Sequence, residues 1–297
     1  MKVRQLILTA LPISGKPNFK GRSEDSWFSQ MASGMYSQKP DSFEKEDPQE
    51  DDFGSMMSSR DSALKSFAVS ESNKIYDYSH DNFDMLTDFT WTLRHLGISE
   101  EKAENEFFVI LGAYDVDREY HNCEHLENML KNLSAYRDLT RLKMQNYDLL
   151  KLAIYYHDFI MGVPDGESKS AEAAASVLEK SNNKNLKQQT NILKKLILAT
   201  DHKRDLSNAT DEEKLISDLD MAILASEPDE YDKYANDVRK EYKNRNYSDK
   251  EYNYGRAKVL KKLLNQKQIF YTPFFNLNYE AKARENIQNE LESLNKD

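Results

Sequence analysis

The stretch from Tyr147 to Met161 reads YDLLKLAIYYHDFIM, and its periodicity decides the fold. Leu150, Ala153 and Ile154 recur at helical spacing, and the same steps of three and four residues continue onto His157, with Asp158 beside it. The spacing predicts a helix over Tyr147–Met161 whose core-facing stripe ends in an imidazole. A second stripe, Ile216, Leu219 and Ile223, carries Asp220 inside it, four residues after Ile216 and three before Ile223. A buried carboxylate without a partner is costly or takes up a proton, so something must compensate it. A salt bridge, a helix N-terminus or a metal ion would each serve.

Outward from these stripes the same pattern repeats. Phe83, Leu86, Phe89, Leu93 and Leu96 keep a helical period, closed by Gly97 in C-cap position. Ser99, Glu100 and Glu101 open the next helix, which carries Phe107, Phe108, Ile110 and Leu111. Further helices are expected at His121–Asp138, Ser168–Lys180, Leu186–His202, Asp211–Ser226, Tyr252–Phe270 and Tyr279–Leu294. Thr210 with Glu213 and Ser248 with Glu251 have the spacing of capping boxes. No segment alternates with period two, so the expected class is all-α, one helical domain over residues 81–297.

Residues 1–80 read differently. Pro12, Pro17, Pro40 and Pro48 fall here, and Glu44–Asp52 is the acidic run EKEDPQEDD. From Ser14 to Ser79 aliphatic residues are few, so little apolar burial is left to offset the entropy of ordering. A mostly disordered arm is the expectation. Its first residues imitate a signal peptide, but the apolar run stops at Pro12 with no small-residue cleavage site after it.

Composition narrows the function. The 297 residues hold 41 Lys+Arg against 51 Asp+Glu, a net charge of -10, which lacks the positive field of a nucleic-acid binder. No apolar run nears the roughly 18 residues that a membrane span needs. Nine Gly and seven Pro are few for a turn-dense β architecture. The single cysteine, Cys123, excludes an internal disulfide and suggests a reducing, cytoplasmic compartment. A secreted effector is the alternative, suggested by the long arm and the acidic C-terminal helix.

His121, His157, Asp158 and Asp220 make a mixed set of two imidazoles and two carboxylates. Such donors suit one borderline or hard divalent ion, Mn, Fe, Ni or Zn, with room for a second left open. The residues do not form a local motif, because 35 residues separate His121 from His157 and 61 separate Asp158 from Asp220.

The order His121 … His157-Asp158 … Asp220 resembles the H…HD…D signature of the HD superfamily of metal-dependent phosphohydrolases. The resembling pieces include Arg118-Glu-Tyr-His-Asn with His125-Leu, Ala153-Ile-Tyr-Tyr-His-Asp-Phe, Glu167-Ser-Lys-Ser-Ala, Asp218-Leu-Asp-Met-Ala-Ile-Leu and Val238-Arg-Lys-Glu-Tyr. They span nearly all of 82–290 and leave the arm outside. The resemblance implies a metal held by His121, His157, Asp158 and Asp220, with Asp218 in an outer role because it faces away at i-2. It also implies hydrolysis of a phosphate ester, in a nucleotide or another small phosphorylated metabolite. Met161 and Gly166 depart from the group, which usually has an aromatic residue and an Asn there.

Around that centre, Glu167 is the candidate general base, and His202 the candidate general acid or second-metal ligand. Arg118, His125, Arg239 and Arg256 are the candidate substrate contacts, since guanidinium forks match phosphate oxygens. Each also has a plain structural reading: a first-turn acid, a histidine at a helix C-terminus, buried ion pairs between helices. Two further functions stay open, a nucleotide pyrophosphohydrolase or phosphodiesterase, and a catalytically silent binding module.

Overall fold

A computed structural model of the chain describes residues 84–115, 118–140, 146–181 and 185–294. The arm expected over residues 1–80 lies outside the described residues. Those described form ten α-helices and one 3-10 segment, with no strand among them. In chain order these are α1 (Met85–His95), α2 (Glu100–Asp115), α3 (Cys123–Thr140), α4 (Tyr147–Tyr156), α5 (Gly166–Leu178), α6 (Leu186–Leu198) and α7 (Asp211–Met221). The 3-10 segment Ala222–Ala225 follows, then α8 (Pro228–Asn244), α9 (Asp249–Asn265) and α10 (Pro273–Leu294). None of these helices is long and apolar enough to cross a membrane.

The helix ends form where the residue types dictate. Asp84 caps α1 by accepting from the Leu86 N–H. Gly97 ends it at φ 89°, with its N–H on the Arg94 carbonyl and the Ile98 N–H on the Leu93 carbonyl, a Schellman closure. Both capping boxes are formed, Thr210 with Glu213 before α7 and Ser248 with Glu251 before α9.

Helix α4 is the centre of the fold, packed against α1, α3, α5, α6 and α7. Leu150, Leu152, Ala153, Ile154 and Tyr155 are fully buried on several faces, as a helix enclosed by neighbours requires. The phenols escape orphaning: Tyr155 donates to Asp88 at 3.0 Å and Tyr156 to Glu106 at 2.6 Å.

Several boundaries depart from the periodic reading. Helix α4 stops at Tyr156, so His157 and Asp158 stand in the turn beyond it. Helix α6 ends at Leu198, which leaves His202 in a loop. The stripe read as Asp211–Ser226 tightens into the 3-10 segment after Met221. The Tyr-rich segment after Glu227 is a full helix, α8, with Pro228 at its first position. Asp218 faces away from Asp220, as its spacing implies. Its buried carboxylate accepts from the Tyr271 and Thr272 N–H groups and from the Thr272 hydroxyl, at 2.6–2.8 Å, and so ties α7 to the start of α10.

Candidate metal centre

The last turn of α4 has carbonyls with no helical partner. One of them, on Ile154, accepts from His157 Nδ1 at 2.8 Å. That bond fixes the ring so that Nε2 points away from the helix. His157 is 1% exposed, and its Nε2 meets His125 Nε2 at 3.2 Å and Asp220 Oδ1 at 3.6 Å. Asp220 Oδ1 is also 3.3 Å from His125 Nε2. Helices α3, α4 and α7 thus bring His125, His157 and Asp220 together, each with a ligand atom within 4.8 Å of the others.

This donor set fits a divalent ion. Two imidazole nitrogens and one carboxylate oxygen suit borderline metals, and three protein ligands leave coordination positions free, as catalytic sites do. The carbonyl behind His157 orients the ring as outer partners of metal-bound histidines do.

The charges around these atoms are strongly coupled. Burial favours the neutral ring of His157, but the adjacent carboxylates of Asp158 and Asp220 outweigh it and raise its pKa well above the ordinary histidine value. Burial also opposes charge on Asp220, yet hydrogen bonds from His125, His157 and His202 hold its pKa well below the carboxylate range. In His125 burial dominates and the pKa falls.

Of the four ligands that the resemblance implies, His157 and Asp220 belong to the cluster and Asp158 adjoins it, its Oδ2 being 3.3 Å from His157 Nε2. His121 stands outside, with Nε2 3.9 Å from Asp158 Oδ2. His125, expected as a substrate contact, takes the remaining place among the converging atoms. His202 reaches in from its loop, Nε2 3.1 Å from Asp220 Oδ2.

His121 has a partner that the sequence reading does not include. Glu241, on α8, has a fully buried carboxylate that accepts from His121 Nδ1 at 2.7 Å and from the Tyr120 and His121 N–H groups at 2.9 Å. The signal was present in the sequence: Tyr231, Val238 and Glu241 follow steps of seven and three, so this acid lies on an apolar stripe as Asp220 does.

The arginines are already engaged. Arg118 donates to the carbonyls of Asp158 (2.8 Å), Phe159 (3.2 Å) and His121 (3.3 Å), and lies over the Tyr114 ring. Arg256 grips Glu290 with two bonds of 2.7 and 2.9 Å and donates to the Tyr234 hydroxyl, joining α9 to α10 and α8. Arg239 pairs with Asp249 at 3.3 Å over the Tyr252 ring. Glu167 sits in the first turn of α5, and no hydrogen bond or ion pair joins it to the cluster among the described residues.

Gly166, next to it, has a physical reason. A Cβ there would lie 2.7 Å from the Ile160 carbonyl oxygen, so only glycine lets α5 approach the turn after Asp158 this closely. Ser170, one turn on, accepts from the Ile160 N–H at 2.9 Å.

A groove of about 180 Å3 opens beside the cluster, with His125 and Asp220 in its lining. Asn128, Asn132, Lys131 and Lys233 supply polar groups along it, and Tyr120 and Tyr234 form an aromatic wall with ring centroids 4.6 Å apart. Comparison of the chain with protein-family models, with curated proteins and with solved structures gave no match.

Proposed function

We propose that the protein is a metal-dependent phosphohydrolase of the HD type, acting on a small phosphorylated metabolite such as a nucleotide. One observation carries this reading: the nitrogens of His125 and His157 and a carboxylate oxygen of Asp220 converge, with Asp158 adjoining, beside a groove of small-molecule size. His125, His157 and Asp220 would hold the ion, with Asp158 as a further oxygen donor. A divalent ion at this position supplies Lewis acidity toward a phosphoryl oxygen and lowers the pKa of water.

The chain's own residues do the rest. Arg118 holds the backbone of the His157-Asp158 turn, so both side chains stay aimed at one point. His202 bonds the second oxygen of Asp220, which leaves Oδ1 to the cluster. Asn128, Asn132 and Lys233 offer donors that would orient a phosphorylated substrate. The partly buried Tyr120 and Tyr234 rings form one wall of the groove.

The experiment is metal content of the purified full chain by mass spectrometry, paired with phosphate release from nucleoside mono-, di- and triphosphates. Wild type should carry about one ion per chain, and His125→Ala, His157→Ala and Asp220→Ala should lose both the ion and turnover. Turnover retained in Asp220→Ala would sink the assignment.

A further inference from the structure

The groove beside the cluster has a direction and a charge. His125, Asn128 and Asn132 follow steps of three and four along α3, so the groove extends down that helix from the metal donors. Two turns of helix are roughly 10 Å long, which suits the organic part of a small monoester whose phosphoryl group sits at the ion. Part of the lining is apolar, with Met129, Leu219 and Ala222 buried in it. Asn128 and Asn132 add neutral amides, and no hydrogen bond engages their side chains among the described residues.

The charges of the groove do not favour an anion. Glu119, Glu124 and Glu230 line it, all three exposed, and none has an ion pair among the described residues. The two ammonium groups in the lining each have a carboxylate of their own: Lys131 lies 2.7 Å from Glu127 and Lys233 3.2 Å from Asp237. Among the described residues no arginine lines the groove. A second phosphate or a carboxylate placed here would meet unpaired negative charge and no uncommitted cation, and like charges brought together cost affinity. We infer that the groove selects a phosphate monoester whose alcohol part carries no further negative charge, an inference that rests on the phosphohydrolase reading and refines its substrate. Nucleoside monophosphates meet that condition. Nucleoside di- and triphosphates do not, because the phosphates behind the terminal one would lie among these carboxylates. Glu230 acts on the charge of the substrate and touches no reacting atom.

The test uses the zinc-loaded full chain and two aryl phosphates of similar shape, 4-(aminomethyl)phenyl phosphate and 4-carboxyphenyl phosphate. The measured quantity is the ratio of kcat/KM for the cationic ester over the anionic one. Comparing that ratio between wild type and Glu230→Lys cancels the intrinsic reactivity of each ester. Glu230 is an exposed residue in the first turn of α8, so its replacement leaves the core intact. The ratio should fall roughly 10-fold in Glu230→Lys, the scale of a few exposed charge pairs reversed together, and the fall should shrink in high salt. Asp232→Lys makes the same change of charge at an exposed site on α8 outside the lining, and should keep the wild-type ratio. An unchanged ratio in Glu230→Lys, or an equal fall in Asp232→Lys, would overturn the inference. So would phosphate release from a nucleoside di- or triphosphate with a higher kcat/KM than from the monophosphate. A wild type that binds zinc but releases no phosphate from any monoester would overturn the phosphohydrolase reading, and the inference with it.

Discussion

Arg118 donates to the carbonyl oxygen of Asp158 at 2.8 Å, across 40 residues of chain. With its bonds to the Phe159 and His121 carbonyls, this guanidinium fastens the turn after α4 to the start of α3. A residue that resembles a phosphate contact in sequence thus acts on the backbone that carries His157, a member of the candidate metal cluster. Arg118→Ala leaves those carbonyls without their donors, and we expect a loss of about 2 kcal/mol in urea unfolding. Metal affinity should fall roughly 10–100-fold, as when outer partners of a metal site are removed. Unchanged zinc affinity in a calorimetric titration would refute this.

Gly166→Ala tests how closely α5 is held to the same turn. The added Cβ would meet the Ile160 carbonyl at 2.7 Å, a backbone atom that cannot swing aside. Overpacking of this kind costs about 1–3 kcal/mol, or roughly 2–4 °C in Tm for each kcal/mol in a domain of this size. A Tm equal to wild type in a thermal melt would show that the contact relaxes freely.

The helical class was legible because local chemistry writes it: Gly97 and the two capping boxes are realised as read. What was hard to read depends on contacts across long stretches of chain. Periodicity carries the α4 stripe through His157, but it does not show that the ring bonds the Ile154 carbonyl and closes the helix. His121 and His125 lie one turn apart, and nothing local says which joins the cluster; Glu241, 120 residues away, holds His121 aside. The arginines interrupt apolar stripes in the same way whether they face a ligand or, like Arg256, a buried Glu290.

Asp218 and Asp220, two residues apart on α7, should affect metal binding oppositely. Asp218→Ala removes the acceptor for two backbone N–H groups and the Thr272 hydroxyl, and should lower stability by about 1–3 kcal/mol without loss of metal. Burial pushes the Asp218 carboxyl up to about 6, above the ordinary carboxylate value. Its contribution is therefore complete below about pH 4 and is lost as pH rises through about 6. The stability difference between wild type and Asp218→Asn should shift across that window. Asp220→Ala should lose the metal, and it should also lower metal-free stability, because it removes a carboxylate that compensates the buried His157. Equal effects of both alanine variants on metal content would refute the division.

Metal binding should release protons. Burial disfavours charge on His157, but Asp158 and Asp220 outweigh it and keep the metal-free ring protonated well above the ordinary histidine value. An ion takes the neutral ring, so loading at pH 7 must expel that proton, and apparent affinity should rise with pH through neutrality. Titration calorimetry in two buffers of unlike ionisation enthalpy should find roughly one proton released per ion. The same shift acts on stability. A raised histidine stabilises the metal-free fold fully below about pH 6.5, and that contribution is lost as pH rises through the folded value. The chelated protein should therefore lose Tm with rising pH more steeply than the loaded protein. No proton release, or parallel melting curves with and without metal, would mean that His157 is neutral before the ion arrives.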